Sequence, residues 1–149
     1  MIPIFKTRMF GRGKPLLLHA DDDPESLFFV RTALARLPVA VVGVEDGAAA
    51  VRFASEEIPS LVLLDVLLPG LDGVAVCHEL RRNRGTQTIP IFMLSAMDTL
   101  KDMEKALAWG ANGYLAKPVD SERLLRLVSR LLFPKTAGRL GAPVLAGGK

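Results

Sequence analysis

Short apolar runs alternate with longer amphipathic segments along most of this chain, and no other feature restricts its fold as strongly. Five of the runs are apolar enough to be buried strands. The segments between them place apolar residues at helical spacing, as at Leu124, Leu127 and Val128. Strands that alternate with helices form a parallel sheet covered on both faces. The predicted strands are residues 16–20, 39–44, 61–64, 89–94 and 113–116.

These elements predict an α/β fold, a doubly wound five-stranded parallel sheet flanked by five helices. Turn signals lie where the elements should begin and end. Asp23 and Pro24 suit the start of a helix, Gly110 suits the end of one, and Pro90 suits the start of a strand. The helices predicted near residues 47–55 and 73–83 have the weaker apolar pattern.

Length and cysteine content restrict the class of protein. A chain of 149 residues, half of them hydrophobic, is about large enough for one domain with one core. The single cysteine, Cys77, excludes an internal disulfide and a cysteine-cluster metal site. No apolar stretch approaches the roughly 18 residues that a membrane span requires. We therefore predict a soluble cytoplasmic protein.

The charges are separated along the chain. The net charge is +3, yet all 16 acidic residues lie between Asp21 and Glu122. We predict a basic extension at 1–14, one domain at 15–133, and a flexible tail rich in glycine and proline at 134–149. The domain lacks a basic patch with interleaved aromatic residues, so we expect no direct binding of nucleic acid.

Polar residues follow four of the five predicted strands. Asp21 and Asp22 follow the first strand and Asp65 follows the third, while Ser95 and Lys117 follow the fourth and fifth. The carboxyl ends of parallel strands meet at one edge of a sheet, so these side chains should converge. Three close carboxylates need a cation, and oxygen ligands suit Mg²⁺. A lysine and a hydroxyl beside that cation suit the oxygens of a phosphoryl group.

Each of these residues taken alone has an ordinary explanation. Helix capping alone could explain Asp23 and its neighbours. Asp65 could be a loop carboxylate, and Lys117 could be a surface lysine before a proline. Their joint occurrence, each at the end of a predicted strand, favours a site.

Four segments of the chain contain the polar residues described above. They are L-L-L-H-A-D-D-D-P (16–24), L-V-L-L-D-V-L-L-P-G-L-D-G (61–73), I-P-I-F-M-L-S-A (89–96) and G-A-N-G-Y-L-A-K-P (110–118). Together these segments resemble the receiver domains of two-component response regulators, of the stand-alone, chemotaxis-regulator-like type. The resemblance covers about residues 15–133 and implies a flavodoxin-like receiver fold.

The resemblance implies that Asp65 accepts a phosphoryl group from a sensor histidine kinase or a phosphotransfer protein. Mg²⁺ would then be held by the carboxylates of Asp22 and Asp65 and the Leu67 carbonyl, with Asp21 acting mainly through water. The protein would be no enzyme on outside substrates, since it would catalyse only its own Mg²⁺-dependent phosphorylation and dephosphorylation.

The same resemblance implies a switch. Ser95 and Lys117 would hold the phosphoryl oxygens, and Tyr114 matches the aromatic residue that turns inward on activation. Leu67 and Met97 flank the approach of water to the phosphorylated aspartate, and neither can orient water. We therefore predict slow self-dephosphorylation.

The last predicted helix has more apolar residues than one stripe requires. Its arginines form a single polar stripe, which leaves Leu125 and Leu132 outside the core-facing stripe. These leucines could cover the sheet, or they could contact a second subunit or a partner. We predict a homodimer through the face formed by the last strand and the helices before and after it.

Three other functions were weighed against this one. A receiver-like module that signals by contact, without phosphorylation, is the main alternative. Haloacid-dehalogenase-like hydrolases place a second aspartate two residues after the nucleophile, where this chain has Leu67. The run from Gly11 to Lys14 lacks the full phosphate-loop pattern and precedes the first strand.

Overall fold

The computed structural model describes residues 13–96 and 100–135, and its centre is a five-stranded parallel sheet. The strands lie in the order β2-β1-β3-β4-β5. Their bounds are Leu16–Ala20 for β1, Ala40–Val44 for β2, Leu61–Asp65 for β3, Ile91–Ser95 for β4 and Gly113–Ala116 for β5. The predicted α/β class and the five-stranded parallel sheet are confirmed.

Five helices connect and follow the strands. They are α1 at Pro24–Ala33, α2 at Gly47–Glu57, α3 at Gly73–Arg82, α4 at Leu100–Ala108 and α5 at Ser121–Leu132, with a short 3-10 helix at Leu34–Arg36 after α1. Four helices begin after an aspartate whose carboxylate accepts a hydrogen bond from a backbone N–H of the first turn. These aspartates are Asp23, Asp46, Asp72 and Asp120.

The helices cover the two faces of the sheet with separate apolar clusters. Residues of α2, α3 and α4 pack on one face, over β-strand residues such as Leu18 and Leu64. Residues of α1 and α5 pack on the other face, over Leu17 and Leu63. The chain winds in opposite directions from the neighbouring strands β1 and β3, so a crevice forms beyond their carboxyl ends.

Two glycines allow helix N-termini to approach the loop between β3 and α3. A Cβ atom on Gly47 would overlap the carbonyl oxygen of Leu71 and lie 2.6 Å from its carbonyl carbon. A Cβ atom on Gly73 would overlap the carbonyl oxygen of Asp65. Only a residue without a side chain fits either position.

Arg81 ties α3 to the amino-terminal edge of the sheet. Its Nε donates to the Gly110 carbonyl at 2.8 Å, and Nη1 donates to the carbonyls of Ile89 and Gln87 at 2.9 and 3.1 Å. Its Nη2 donates to Asn112 Oδ1 at 2.9 Å. We call Arg81 and these four partners the arginine clamp.

Strand β4 begins two residues later than its apolar run. The predicted strand starts at residue 89, whereas β4 starts at Ile91. Pro90 has no N–H for the ladder, and the carbonyl of Ile89 is taken by Arg81. The Pro90 carbonyl accepts a 2.9 Å hydrogen bond from the Val62 N–H, so the pairing with β3 begins there rather than at Ile89.

The leucines of α5 that the sequence leaves outside the core stripe are half-buried. Leu125 and Leu132 both pack against the cluster beneath α1 and α5. Of the two alternatives for these residues, the structure favours the one in which they cover the core, because α5 contacts α1 as well as the sheet. Helix α4 instead exposes apolar side chains, at Leu100, Met103 and Leu107.

Met97 and most of the predicted terminal segments, 1–14 and 134–149, lie outside the described residues. Within the described ranges, every helix is too short or too polar to cross a membrane.

Candidate functional site

Lys117 lies between two carboxylates at the carboxyl edge of the sheet. Its Nζ is 2.9 Å from Asp21 Oδ2 and 2.8 Å from Asp65 Oδ2. Asp21 follows β1, Asp65 ends β3 and Lys117 follows β5, so the parallel ladder brings residues distant in sequence together. Both aspartates are buried, and the ammonium group supplies charge that compensates them.

Asp22 completes a group of three carboxylates. Asp21, Asp22 and Asp65 each offer an oxygen atom that lies within 4.8 Å of the others. Asp22 is exposed while its two neighbours are buried, so the group opens to solvent on one side. Three hard oxygen donors around one open position suit a divalent cation such as Mg²⁺.

Ser95 and Tyr114 lie on the two strands beside this group. Ser95 is buried at the end of β4, and its carbonyl accepts a 2.7 Å hydrogen bond from the backbone N–H of Lys117. Tyr114 on β5 is half-buried and packs against the cluster beneath α2, α3 and α4. The structure therefore brings Ser95 to the same edge as Asp65, with Tyr114 one strand away.

Leu67 lies two residues after Asp65, in the loop between β3 and α3. Its side chain is 77% exposed, and its backbone N–H donates to Asp65 Oδ1 at 3.1 Å. That bond fixes one oxygen of Asp65, while Lys117 contacts the other. The Asp65 side chain is thus held in one orientation.

Asp21 is held by more partners than the sequence indicates. The Ser26 hydroxyl donates to its Oδ2 at 2.7 Å, and the backbone N–H of Asp23 donates to its Oδ1 at 3.0 Å. Burial raises the pKa of Asp21, but the contacts with His19, Ser26 and Lys117 lower it by more than burial raises it. The pKa of Asp21 therefore lies well below its usual range. Asp21 therefore remains a carboxylate.

Sequence reasoning missed Ser26, although a signal exists. A helix that starts at Pro24 places Ser26 in its first turn, where short polar side chains reach back to the preceding loop.

Asp65 and Lys117 have raised pKa values for different reasons. Burial raises the pKa of Asp65, which the contacts from Lys117 and Leu67 only partly offset. Burial lowers the pKa of Lys117, but the contacts with Asp65 and Asp21 raise it more. Lys117 consequently keeps its proton more firmly than a free lysine, while Asp65 holds its negative charge less firmly than Asp21.

The match to a protein family decides what this arrangement is. The family model of the response regulator receiver domain matches residues 17–129. The chain belongs to this family.

Two curated relatives illustrate the range of proteins in this family. The receiver domain is 37% identical over 118 residues to the DNA-binding dual master transcriptional regulator RpaA of Synechocystis, covering 79% of this chain and 49% of RpaA. It is 33% identical over 120 residues to protein PilH of Pseudomonas aeruginosa, covering 78% of this chain and 96% of PilH.

The receiver domain is also similar to solved structures. One is the receiver domain of the sensor histidine kinase PA1611 from Pseudomonas aeruginosa, which holds a magnesium ion in its active-site cleft. The two share 33% sequence identity with a TM-score of 0.73, over 80% of this chain and 98% of that one. The chain thus spans nearly all of PilH and of the PA1611 receiver, but about half of RpaA.

Proposed function

We propose that this receiver domain accepts a phosphoryl group on Asp65 from a sensor histidine kinase or a phosphotransfer protein, and signals by a change of its surface. The observation that carries the proposal is the position of Lys117, whose Nζ contacts both Asp65 and Asp21. A fixed cation against a fixed carboxylate is the arrangement that phosphoryl transfer to that carboxylate requires. The catalytic activity is confined to the domain's own phosphorylation and dephosphorylation.

The donor set fits Mg²⁺. The carboxylates of Asp22 and Asp65 and the carbonyl of Leu67 would hold the ion, with Asp21 behind them acting mainly through water. When bound, the ion neutralises negative charge on the phosphoryl oxygens. The magnesium-bound PA1611 receiver, a member of the same family, supports this proposal.

The chain's own residues then have distinct roles. One carboxylate oxygen of Asp65 attacks the phosphorus atom with a lone pair. A new P–O bond forms, and the P–N bond breaks with its electron pair going to the donor imidazole. In the proposed mechanism Lys117 balances charge on the transferred group, and the hydroxyl of Ser95, which is buried at the end of β4, donates to one of its oxygens. Movement of Ser95 and Tyr114 toward the new phosphoryl group would change the face formed by α4, β5 and α5.

Replacement of Asp65 tests the assignment directly. Wild-type protein incubated with acetyl phosphate and Mg²⁺ is expected to gain the mass of one phosphoryl group, and Asp65→Asn is expected to abolish this gain because an amide is not a nucleophile here. Intact-mass spectrometry measures both.

The matched control is Asp72→Asn, since Asp72 is exposed and caps α3, and asparagine also caps helices. This variant should be labelled as wild type is. Labelling of Asp65→Asn would contradict the assignment. Absence of labelling in wild type would instead favour the phosphorylation-independent interaction module.

We further propose that the phosphorylated state is long-lived, because Leu67 cannot orient an attacking water molecule. Leu67→Asn is expected to speed loss of the phosphoryl group by about tenfold, since an amide can position that water. The decay is measured by intact mass after removal of acetyl phosphate. Leu100→Asn is the control, because Leu100 is similarly exposed but lies on α4. Equal decay of Leu67→Asn and wild type would contradict the idea.

The matching role of Met97 stays a prediction, since Met97 lies outside the described residues.

We propose that the face formed by α4, β5 and α5 transmits the signal by self-association. Apolar side chains exposed on α4 make this face suited to a homodimer that tightens on phosphorylation. We expect the sedimentation coefficient to rise when beryllofluoride occupies the phosphoryl site, and Leu107→Glu to prevent the rise. An unchanged wild-type coefficient would leave a foreign partner as the output.

The domain bounds and the location of the protein complete the proposal. We propose that residues 15–133 form the folded unit, that 1–14 and 134–149 are extensions, and that the protein acts in the cytoplasm without contacting nucleic acid directly.

A further inference from the structure

His19 is a fully buried histidine near the carboxyl end of a strand that is otherwise aliphatic. It lies on β1, paired in register with Gly43 of β2 and Leu63 of β3, and no part of the residue is exposed. Leu16, Leu17 and Leu18 fill the preceding positions of β1. An aliphatic side chain would satisfy this position, so the imidazole calls for an explanation beyond packing.

The ring faces the carboxylate group from inside the protein. His19 Nε2 is 3.5 Å from Asp21 Oδ2, longer than a good hydrogen bond but close enough for strong electrostatic attraction. Within residues 13–96 and 100–135, neither ring nitrogen has a hydrogen-bond partner. The Asp21 oxygen atom that faces Nε2 is the same one that Lys117 contacts.

That oxygen is shared. Asp21 Oδ2 accepts hydrogen bonds from Ser26 at 2.7 Å and from Lys117 at 2.9 Å. Donors compete for the charge of one oxygen, so a third donor from the core reduces its attraction for the ammonium group. Lys117 must remain able to follow the charge that develops near Asp65, 2.8 Å away on its other side.

We propose that His19 is a positioning residue, which donates from Nε2 to Asp21 and keeps Lys117 available to Asp65. In this role the ring holds the Asp21 carboxylate on its core side and weakens the attraction between that carboxylate and the ammonium group. His19 itself contacts neither the phosphoryl group nor the metal. The proposal rests on the proposed function, since it gives Lys117 its role in phosphoryl transfer.

Three substitutions separate the N–H group from the volume of the ring. His19→Leu removes the donor. His19→Gln carries an amide N–H near the position of Nε2, and His19→Asn carries one only near the position of Nδ1. With acetyl phosphate and Mg²⁺ at one fixed pH, we expect His19→Leu and His19→Asn to be phosphorylated about fivefold more slowly than wild type, about the worth of one ordinary hydrogen bond. We expect His19→Gln to recover the wild-type rate within about twofold.

A purely structural role predicts a different pattern. In that case the rate would follow the unfolding midpoint of each variant, and His19→Gln would be no faster than His19→Leu, which would overturn the proposal. Wild-type rates in all three variants would overturn it as well.

The second measurement needs no phosphorylation. Nitrogen-15 NMR of the unphosphorylated wild type reports which imidazole nitrogen carries the proton, and we expect Nε2. A proton on Nδ1 would overturn the proposal even if His19→Leu does not fold. If wild-type protein is not phosphorylated at all, the proposed function fails, while the NMR result still decides whether His19 donates to Asp21.

Discussion

Replacement of Lys117 by methionine is expected to lower the free energy of unfolding by about 3 kcal/mol in a buffer free of divalent cations. Lys117 Nζ lies 2.9 Å from Asp21 and 2.8 Å from Asp65, and both carboxylates are buried. Methionine keeps most of the side-chain length but leaves two like charges close together without a counter-charge. Breaking a buried ion pair in this way is among the more damaging single substitutions.

Urea unfolding in the presence of EDTA measures the loss. Because the Lys117 side chain is 26% exposed, solvent offsets part of the cost, and we place the expected value at the lower end of the usual range. Saturating Mg²⁺ should stabilise Lys117→Met more than wild type, since a cation among the carboxylates replaces the missing charge.

The control for this substitution is Lys105→Met, because Lys105 is an exposed residue of α4. It should change the free energy of unfolding by no more than about 0.5 kcal/mol. If Lys117→Met and Lys105→Met unfold at the same urea concentration, the ammonium group does not stabilise the carboxylate group, and its role in the site must be reconsidered.

Substitution of Gly47 by alanine is expected to destabilise the domain by about 3 kcal/mol, although it adds a single methyl group to the start of a helix. The added Cβ would overlap the carbonyl oxygen of Leu71 and lie 2.8 Å from the Leu71 Cβ. Backbone atoms cannot rotate away as a side-chain tip can. Either α2 or the loop between β3 and α3 must therefore move.

Thermal unfolding followed by circular dichroism measures this effect. Gly85→Ala is the matched control, because a Cβ atom there would lie 3.6 Å from Asn83 and 3.7 Å from Ile58, which is ordinary contact. The control should unfold within a few degrees of wild type, whereas a ~3 kcal/mol loss in a domain of this size lowers the midpoint by roughly 10 °C. A wild-type midpoint for Gly47→Ala would mean that α2 does not pack against the loop as described.

The residues at strand ends could be predicted because a parallel sheet converts sequence order into proximity. Once the five apolar runs are recognised as strands, Asp21, Asp65 and Lys117 must lie at one edge, whatever the details of packing. The family motifs add the roles of these residues, which spacing alone does not supply.

Contacts that depend on side-chain direction could not be predicted. The position of His19 beside Asp21 depends on how the His19 side chain on β1 and the Asp21 side chain just after β1 are oriented, and the Ser26 contact depends on where α1 begins. The burial of Leu125 depends on how α5 is rotated about its own axis and on the contact between α5 and α1. A helical pattern of apolar residues indicates that the helix has an apolar face, but not how much of that face the neighbouring elements bury.

The arginine clamp gives the amino-terminal edge of the sheet a bonding chemistry unlike that of the opposite edge. Among the described residues, the Arg81 guanidinium donates only to backbone carbonyls and to the side-chain carbonyl of Asn112. None of these acceptors titrates, so the clamp keeps its bonds as the solution is acidified. The pKa of Asp21 lies below its usual range in the folded domain, so the unfolded chain takes up this proton first, and the stability that Asp21 and Lys117 contribute falls as the pH drops below the usual carboxylate range. Acid should therefore lower the stability of this domain through Asp21 at the carboxyl edge of the sheet, while the contacts of the clamp at the opposite edge stay intact.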